Sequence, residues 1–244
     1  FLSSSYGSKF EVTSLIICTT QRCGSTFFSD ALTATGLVAT PWEWLQKGDI
    51  AACRRRYGMA VDTPYADLVR TIVARESSEN GVFSLKLMWD TFEPFCARSR
   101  SEHAARAQTS GLELLQSFFP NPRFILVRRR DKLKQAISFV KACQSGVWMN
   151  RNGEQPYFDE NRLHFDYLEL QRAKGSLEHQ DAAWHDFLTG SDIPFLEIFY
   201  EDFVQAYEQT LADAIAFAGF AQPDGLAAPR SRMRRMTDTV NHQW

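Results

Sequence analysis

Four short apolar runs, separated by stretches with helical spacing, organise this chain. Thr13–Thr20 (TSLIICTT) is rich in β-branched residues and reads as a buried strand. Val82–Leu87 (VFSLKL), Arg123–Val127 (RFILV) and Pro194–Phe199 (PFLEIF) read as three more. Ser25–Thr35 reads as a helix ending near Gly36, and further helices are predicted at about 62–77, 110–118, 165–189 and 201–218. Asp131 is a plausible N-cap for another. In that helix Leu133, Ile137 and Val140, with Ala136, Cys143 and Val147, recur at three- and four-residue spacing, which predicts one apolar face. Apolar runs alternating with helices predict βαβ units, hence a three-layer α/β fold with a central parallel sheet flanked by helices. Ligands bind such sheets at the carboxyl ends of the strands. The loops after Thr20, Leu87 and Val127 should therefore share one edge, and each carries charge.

Composition narrows this picture without redirecting it. With 244 residues, 44% of them hydrophobic, the chain can bury a sizeable core, and no Gly/Ser/Pro-rich linker divides it. One domain over 1–244 is expected. The net charge of −2 means that any basic site must be local and that a general polyanion or nucleic-acid binder is disfavoured. Five scattered cysteines form no CxxC pair, so neither a zinc site nor a disulfide framework is expected, and a reducing compartment such as the cytoplasm is. Cys18 and Cys143 lie in apolar stretches and read as small core residues. No apolar run reaches the about 18 residues that a membrane-spanning helix needs. The opening FLSSSYGSKFEV has no basic region or long apolar core, so no signal peptide is read there. The five histidines are dispersed, with no HExxH, and no metal is expected.

The loop Thr20-Gln21-Arg22-Cys23-Gly24-Ser25-Thr26 joins the first strand to the first helix. Free backbone N–H groups and the helix dipole favour an anion there. Gly24 permits close backbone approach, Ser25 and Thr26 offer hydroxyl donors, and Arg22 adds a forked cation. An ordinary strand-to-helix turn would carry many of the same residues. The loop lacks the opening Gly and the Lys of GxxxxGK[ST], which disfavours an ATPase or GTPase. Cys18 and Arg22 lack the spacing of a Cys-x5-Arg phosphatase loop. Sulfuryl transfer, kinase-like phosphoryl transfer and non-catalytic nucleotide or nucleic-acid binding remain as readings of the loop alone.

Three ordered blocks then resemble the bacterial trehalose 2-sulfotransferase family. Gln21–Thr26, Thr35-Gly36 and Pro41-Trp42-Glu43 are similar to that family's Q-R-S-G-S-T loop, T-G dipeptide and P-x-E. Gly81–Trp89 (GVFSLKLMW) is similar to G-V-W-x-x-K-L-M-W. Arg129, Asp131, Gln135-Ala136 and Ser138-Phe139 are similar to its R-P-D-x-x-x-Q-A-x-S-F block, with Arg130 in place of Pro. A weaker match runs from Arg235 and Asp238 to Trp244.

The resemblance implies a P-loop-like fold and a sulfotransferase that uses 3′-phosphoadenosine 5′-phosphosulfate and leaves 3′-phosphoadenosine 5′-phosphate. It implies that Gln21, Arg22, Cys23, Gly24, Ser25 and Thr26 hold the 5′-phosphosulfate, and that Arg129 and Ser138, with Arg235 as a weaker contact, hold the 3′-phosphate. Arg128 and Arg130 compete with Arg129 for that role. Glu43 matches the family's general base, and a carboxylate flanked by Trp42 and Trp44 is expected to be desolvated. Lys86, with Arg22, is expected to stabilise charge developing during transfer. Thr40, Trp42, Trp89, Asp90 and Trp148 are candidates for the acceptor pocket, since indole faces and carboxylates suit sugars. Thr40 stands where the trehalose enzymes have a Glu used on the sugar, so trehalose is not fixed as the acceptor, and a glycolipid, a lipopolysaccharide sugar or another small hydroxyl compound fits as well. Family members can form homodimers, and nothing in the sequence fixes an interface.

Overall fold

The computed structural model describes residues 12–102, 104–149 and 163–220. In chain order these form β1 (Thr13–Thr19), α1 (Ser25–Ala34), α2 (Lys47–Arg56), α3 (Tyr65–Glu76), β2 (Val82–Met88), α4 (Trp89–Ser101), α5 (Gly111–Phe118), β3 (Pro122–Arg128), α6 (Lys132–Ser145), α7 (Tyr167–Gly190), β4 (Phe195–Phe199), α8 (Tyr200–Gln205) and α9 (Tyr207–Phe217). The strands make one all-parallel sheet in the order β2-β1-β3-β4. β1 lies between two neighbours and is covered on both faces, which is why it reads as a continuous apolar run rather than an alternating one.

Successive side chains of β1 go to opposite layers. Ile16 and Cys18 join a cluster with Leu68, Val69 and Ile72 of α3, Phe92 and Phe95 of α4, Leu114 and Leu115 of α5, and Trp184 of α7. Leu15 and Ile17 join Phe28, Ala31 and Leu32 of α1 and Leu211, Ala214 and Ile215 of α9. Burial of each such aliphatic side chain contributes about 1.5–3 kcal/mol before chain entropy is set against it. Burial also pushes the Cys18 thiol well above its ordinary value, so it stays protonated.

The four strands and the helices flanking them match the sequence expectation, with three differences. α2 and α4 were not expected. α2 buries only Cys53 and so has almost no apolar stripe to read. α4 carries Pro94, but Phe92, Phe95, Cys96 and Ser99 still fall on one buried face, and that packing outweighs the backbone bond that proline cannot make. The expected helix at 201–218 is two helices, broken at Ala206 where φ is −119° and ψ is 51°.

In α6, Asp131 is the N-cap as expected, its side chain accepting from the Lys134 N–H. Ala136, Ile137 and Val140 pack against Leu170, Ala173 and Leu177 of α7. Leu133 and Cys143 share their face in the helical repeat but are exposed, which corrects the core reading of Cys143. Periodicity gives a helix its inward face, not the point where the covering neighbour ends. All five cysteines are free, four of them buried. No helix among the described residues is long and apolar enough to cross a membrane.

Candidate active site

Because every strand pair is parallel, the loops after β1, β2, β3 and β4 open at one edge. The register pairs Thr19 with Met88 on one side and Val127 on the other, so residues 20–26 emerge level with Asp90 and Arg129.

Gly24 is the hinge of the strand-to-helix loop. It caps α1 at φ 96°, a left-handed conformation, and no side chain caps the helix, so the helix end faces the loop opening. A Cβ on Gly24 would stand 2.3 Å from Cδ2 of Tyr200, the first residue of α8. Gly24→Ala is expected to lose about 2 kcal/mol or more of stability in urea unfolding, from left-handed strain and from the clash. The double variant Gly24→Ala/Tyr200→Ala should recover the steric part. Equal losses in the single and double variants would remove Tyr200 from the explanation.

Arg22 also has positive φ, 61°, which is sterically disfavoured for a side chain of its size. Its Nε donates to Ser138 Oγ at 2.9 Å, and its Nη1 donates to the Trp148 carbonyl. Arg129 donates from Nη1 to the Arg22 carbonyl at 3.3 Å and lies over the Tyr200 ring, 5.1 Å from its centroid. Arg129 Nε is buried with no hydrogen-bond partner among the described residues. Burial first, and then the Arg129 guanidinium beside it, hold Arg22 below its ordinary value, while Cys23 and Cys143 act in the opposite sense. Two arginines that repel each other beside the N-terminus of α1 make a site that an anion would stabilise.

The neighbouring arginines are engaged elsewhere. Arg128 bonds Asp181 at 2.8 Å and Glu197 at 2.7 Å. Burial opposes its charge, but these bonds outweigh it and raise its value overall. Arg130 binds both oxygens of Asp202 in an exposed pair.

A second charged group lies on the other side of the loop. Residues 41–44 run beside the sheet's β2 edge, where Trp42 forms a parallel bridge with Leu85 and its carbonyl accepts from the Lys86 N–H. Lys86, only 6% exposed, reaches Glu43 Oε1 at 2.8 Å and Thr26 Oγ1 at 3.0 Å. The Gln46 amide donates to Glu43 Oε2. The candidate base therefore lies one lysine away from the anion loop.

The fold separates residues that the sequence had grouped together. Thr40, Trp42 and Trp44 line a cleft of about 370 Å³ with Arg75, Ser77 and Ser78. Glu43 is not among the residues lining that cleft; its carboxylate is held by the Lys86 ammonium and the Gln46 amide. The Trp42 indole N–H donates to Asp49, and that of Trp44 to the Ser84 carbonyl.

Of the other expected contacts, Asp90 accepts from the Gln21 amide at 2.5 Å and so belongs to the loop. Trp148 is 43% exposed and edge-on to Phe139, with its carbonyl on Arg22. Trp89, partly buried, packs against the aromatic core, its ring 5.0 Å from that of Trp184 and 5.3 Å from that of Phe92. Cys23 is fully buried, with Sγ 2.7 Å from Thr19 Oγ1 and 3.4 Å from the Val127 carbonyl. Its side chain faces the strands, which leaves its backbone N–H as its means of meeting an anion. Ser25 is buried at the start of α1. Arg235 lies outside the described residues. The described residues contain no cluster of three or more metal-ligating side chains.

Tyr200 and Gln135 belong to this site and were not among the expected site residues. Tyr200 follows β4 as the charged residues follow the other strands, and the position after an apolar run was the signal for it.

The sequence model of the Stf0 sulphotransferase family matches residues 14–244. The chain is 22% identical to the trehalose 2-sulfotransferase of Mycolicibacterium smegmatis, over 95% of this chain and 92% of that one. It is 24% identical to the trehalose 2-sulfotransferase of Mycobacterium tuberculosis, over 94% and 91%. Its fold is similar to that of the sulfotransferase domain of the Synechococcus PCC 7002 olefin synthase, with a TM-score of 0.50 at 15% identity, covering 97% of this chain and 84% of that one.

Proposed function

This chain belongs to the Stf0 sulphotransferase family, and on that premise we propose that it moves a sulfuryl group from 3′-phosphoadenosine 5′-phosphosulfate to a hydroxyl of a carbohydrate or glycolipid acceptor. The observation that carries this reading is the lysine bridge: Lys86 joins Glu43 to Thr26, the last residue of the anion loop. Transfer to a hydroxyl needs a base for the acceptor's proton, next to cations that can take up charge on the leaving phosphate.

In the proposed reaction Glu43 takes the hydroxyl proton as the acceptor oxygen bonds to sulfur. The bond from sulfur to the bridging oxygen of the 5′-phosphate breaks, in line with the attack. Arg22, Lys86 and the N–H groups at the start of α1 stabilise the phosphate as it departs. Arg129 and Ser138 hold the 3′-phosphate. The Arg22 contact to Ser138 means that the groups assigned to the two ends of the donor meet in one cationic cluster. The electrostatic demands parallel those of phosphoryl transfer, in which positioning and charge dominate. The two mycobacterial relatives are trehalose 2-sulfotransferases, which favours a sugar acceptor. Thr40, which lines a cleft that Glu43 does not, leaves the identity of that sugar to experiment.

Calorimetry with 3′-phosphoadenosine 5′-phosphate, followed by transfer from labelled donor to a panel of sugars and glycolipids, tests the proposal. Saturable binding and label transfer to a hydroxyl are expected. No binding of this nucleotide, or transfer of phosphate from ATP instead, would overturn it.

A further inference from the structure

Gln135 occupies the first turn of α6 and is completely buried. A buried polar side chain is costly unless its hydrogen-bonding groups are used, and an apolar residue of similar length would avoid that cost. Here the whole amide is engaged. Nε2 donates to Thr20 Oγ1 at 2.9 Å and to the Gln21 carbonyl at 2.7 Å, which uses both of its hydrogens. Oε1 accepts from Lys132 Nζ at 3.3 Å. Lys132 in turn pairs at 3.0 Å with Asp181 of α7, whose carboxylate is buried and also holds Arg128.

The direction of this chain matters. A cation on the oxygen side of the amide fixes which end faces the loop, so its two donors are presented to the Thr20 hydroxyl and the Gln21 carbonyl. The Gln21 carbonyl belongs to the same planar unit as the Arg22 N–H. Drawing the carbonyl toward α6 sends that N–H away from α6. It also fixes one side of Arg22, whose positive φ is disfavoured and must be held by its surroundings.

We propose that Gln135 is a positioning residue for sulfuryl transfer: oriented by Asp181 and Lys132, it holds the Thr20–Arg22 backbone in the shape that receives the donor's anionic groups. This rests on the proposed function, because the anion concerned is the donor's.

The test is calorimetry with 3′-phosphoadenosine 5′-phosphate on the wild type, Gln135→Glu and Gln135→Met, together with steady-state kinetics. Gln135→Glu keeps the shape and removes both donors, and Gln135→Met removes polarity at similar length. Both variants are expected to bind the nucleotide about tenfold or more weakly at unchanged stoichiometry. Donor KM should rise in parallel, with acceptor KM at saturating donor within about twofold of the wild type. If Gln135 served stability alone, fewer molecules would bind but each with the wild-type Kd, and that result overturns the proposal. Wild-type affinity in a fully active Gln135→Met protein overturns it equally and leaves the proposed function standing. A wild type that ignores the nucleotide overturns the proposed function itself, and this inference with it.

Discussion

Glu43→Gln is expected to lower turnover by about 10²-fold or more while leaving affinity for 3′-phosphoadenosine 5′-phosphate within about twofold. The substitution is nearly isosteric. Its amide oxygen can still accept from Lys86, now 2.8 Å from Glu43 Oε1, so the bond from Lys86 to Thr26 and the shape of the anion loop should persist. What disappears is the basicity that removes the acceptor's proton. The side chain is 23% exposed, open enough to meet a hydroxyl and covered enough to be oriented by Lys86 and Gln46. Glu43→Asp should fall between the two, because it keeps the charge but withdraws it by one methylene from Lys86. Single-turnover transfer from labelled donor separates the chemical step from product release. Wild-type single-turnover rates in Glu43→Gln would remove Glu43 from the role of base, and a large loss of nucleotide affinity would make it a donor-binding residue instead.

The parts of this site that were legible in the sequence are those with local signals. Thr13–Thr20 is apolar because β1 is covered on both faces, and Gly24 follows because a side chain there would collide with Tyr200. Asp131 announces α6 because a carboxylate before a helix satisfies a free N–H. Lys86, Glu43, Arg22 and Ser138 were found through ordered blocks, and the fold brings them to one edge.

What was not legible depends on partners distant in the chain. Arg128, Arg129 and Arg130 are indistinguishable in sequence, and they differ because Asp181, Glu197 and Asp202 arrive from α7, β4 and α8. Thr40 and Glu43 are three residues apart, yet Thr40 lines the cleft beside Arg75 and Ser77 while Glu43 reaches Lys86 of β2. Trp89 packs on Trp184 and Phe92, and the first of these partners lies far along the chain. Cys23 reads as a departure from the family's Ser, and in this chain its small side chain is buried against Thr19.

These pairings make the three arginines a graded test. Arg129→Met is expected to weaken binding of 3′-phosphoadenosine 5′-phosphate by about 10²-fold, the scale of a desolvated charge-assisted contact. No carboxylate among the described residues pairs with Arg129, its Nε is buried without a partner, and it lies beside Arg22 at the loop. Removing it should also relieve the repulsion on Arg22, so the protein should not lose stability as its affinity falls. Arg128→Met should do the reverse. Asp181 is almost fully buried and would keep only Lys132, so about 2–3 kcal/mol of unfolding free energy should go, less than for a buried charge left with no partner. Nucleotide affinity in the folded fraction should hold. Arg130→Met should change neither by much, because its pair with Asp202 is half exposed and screened by solvent. Urea unfolding and calorimetry on the three variants give six values. If Arg128→Met or Arg130→Met proved the most damaging to nucleotide binding, Arg129 would not be the phosphate ligand. The opposite order ties donor recognition to the one arginine of the run that forms no salt bridge with a described carboxylate.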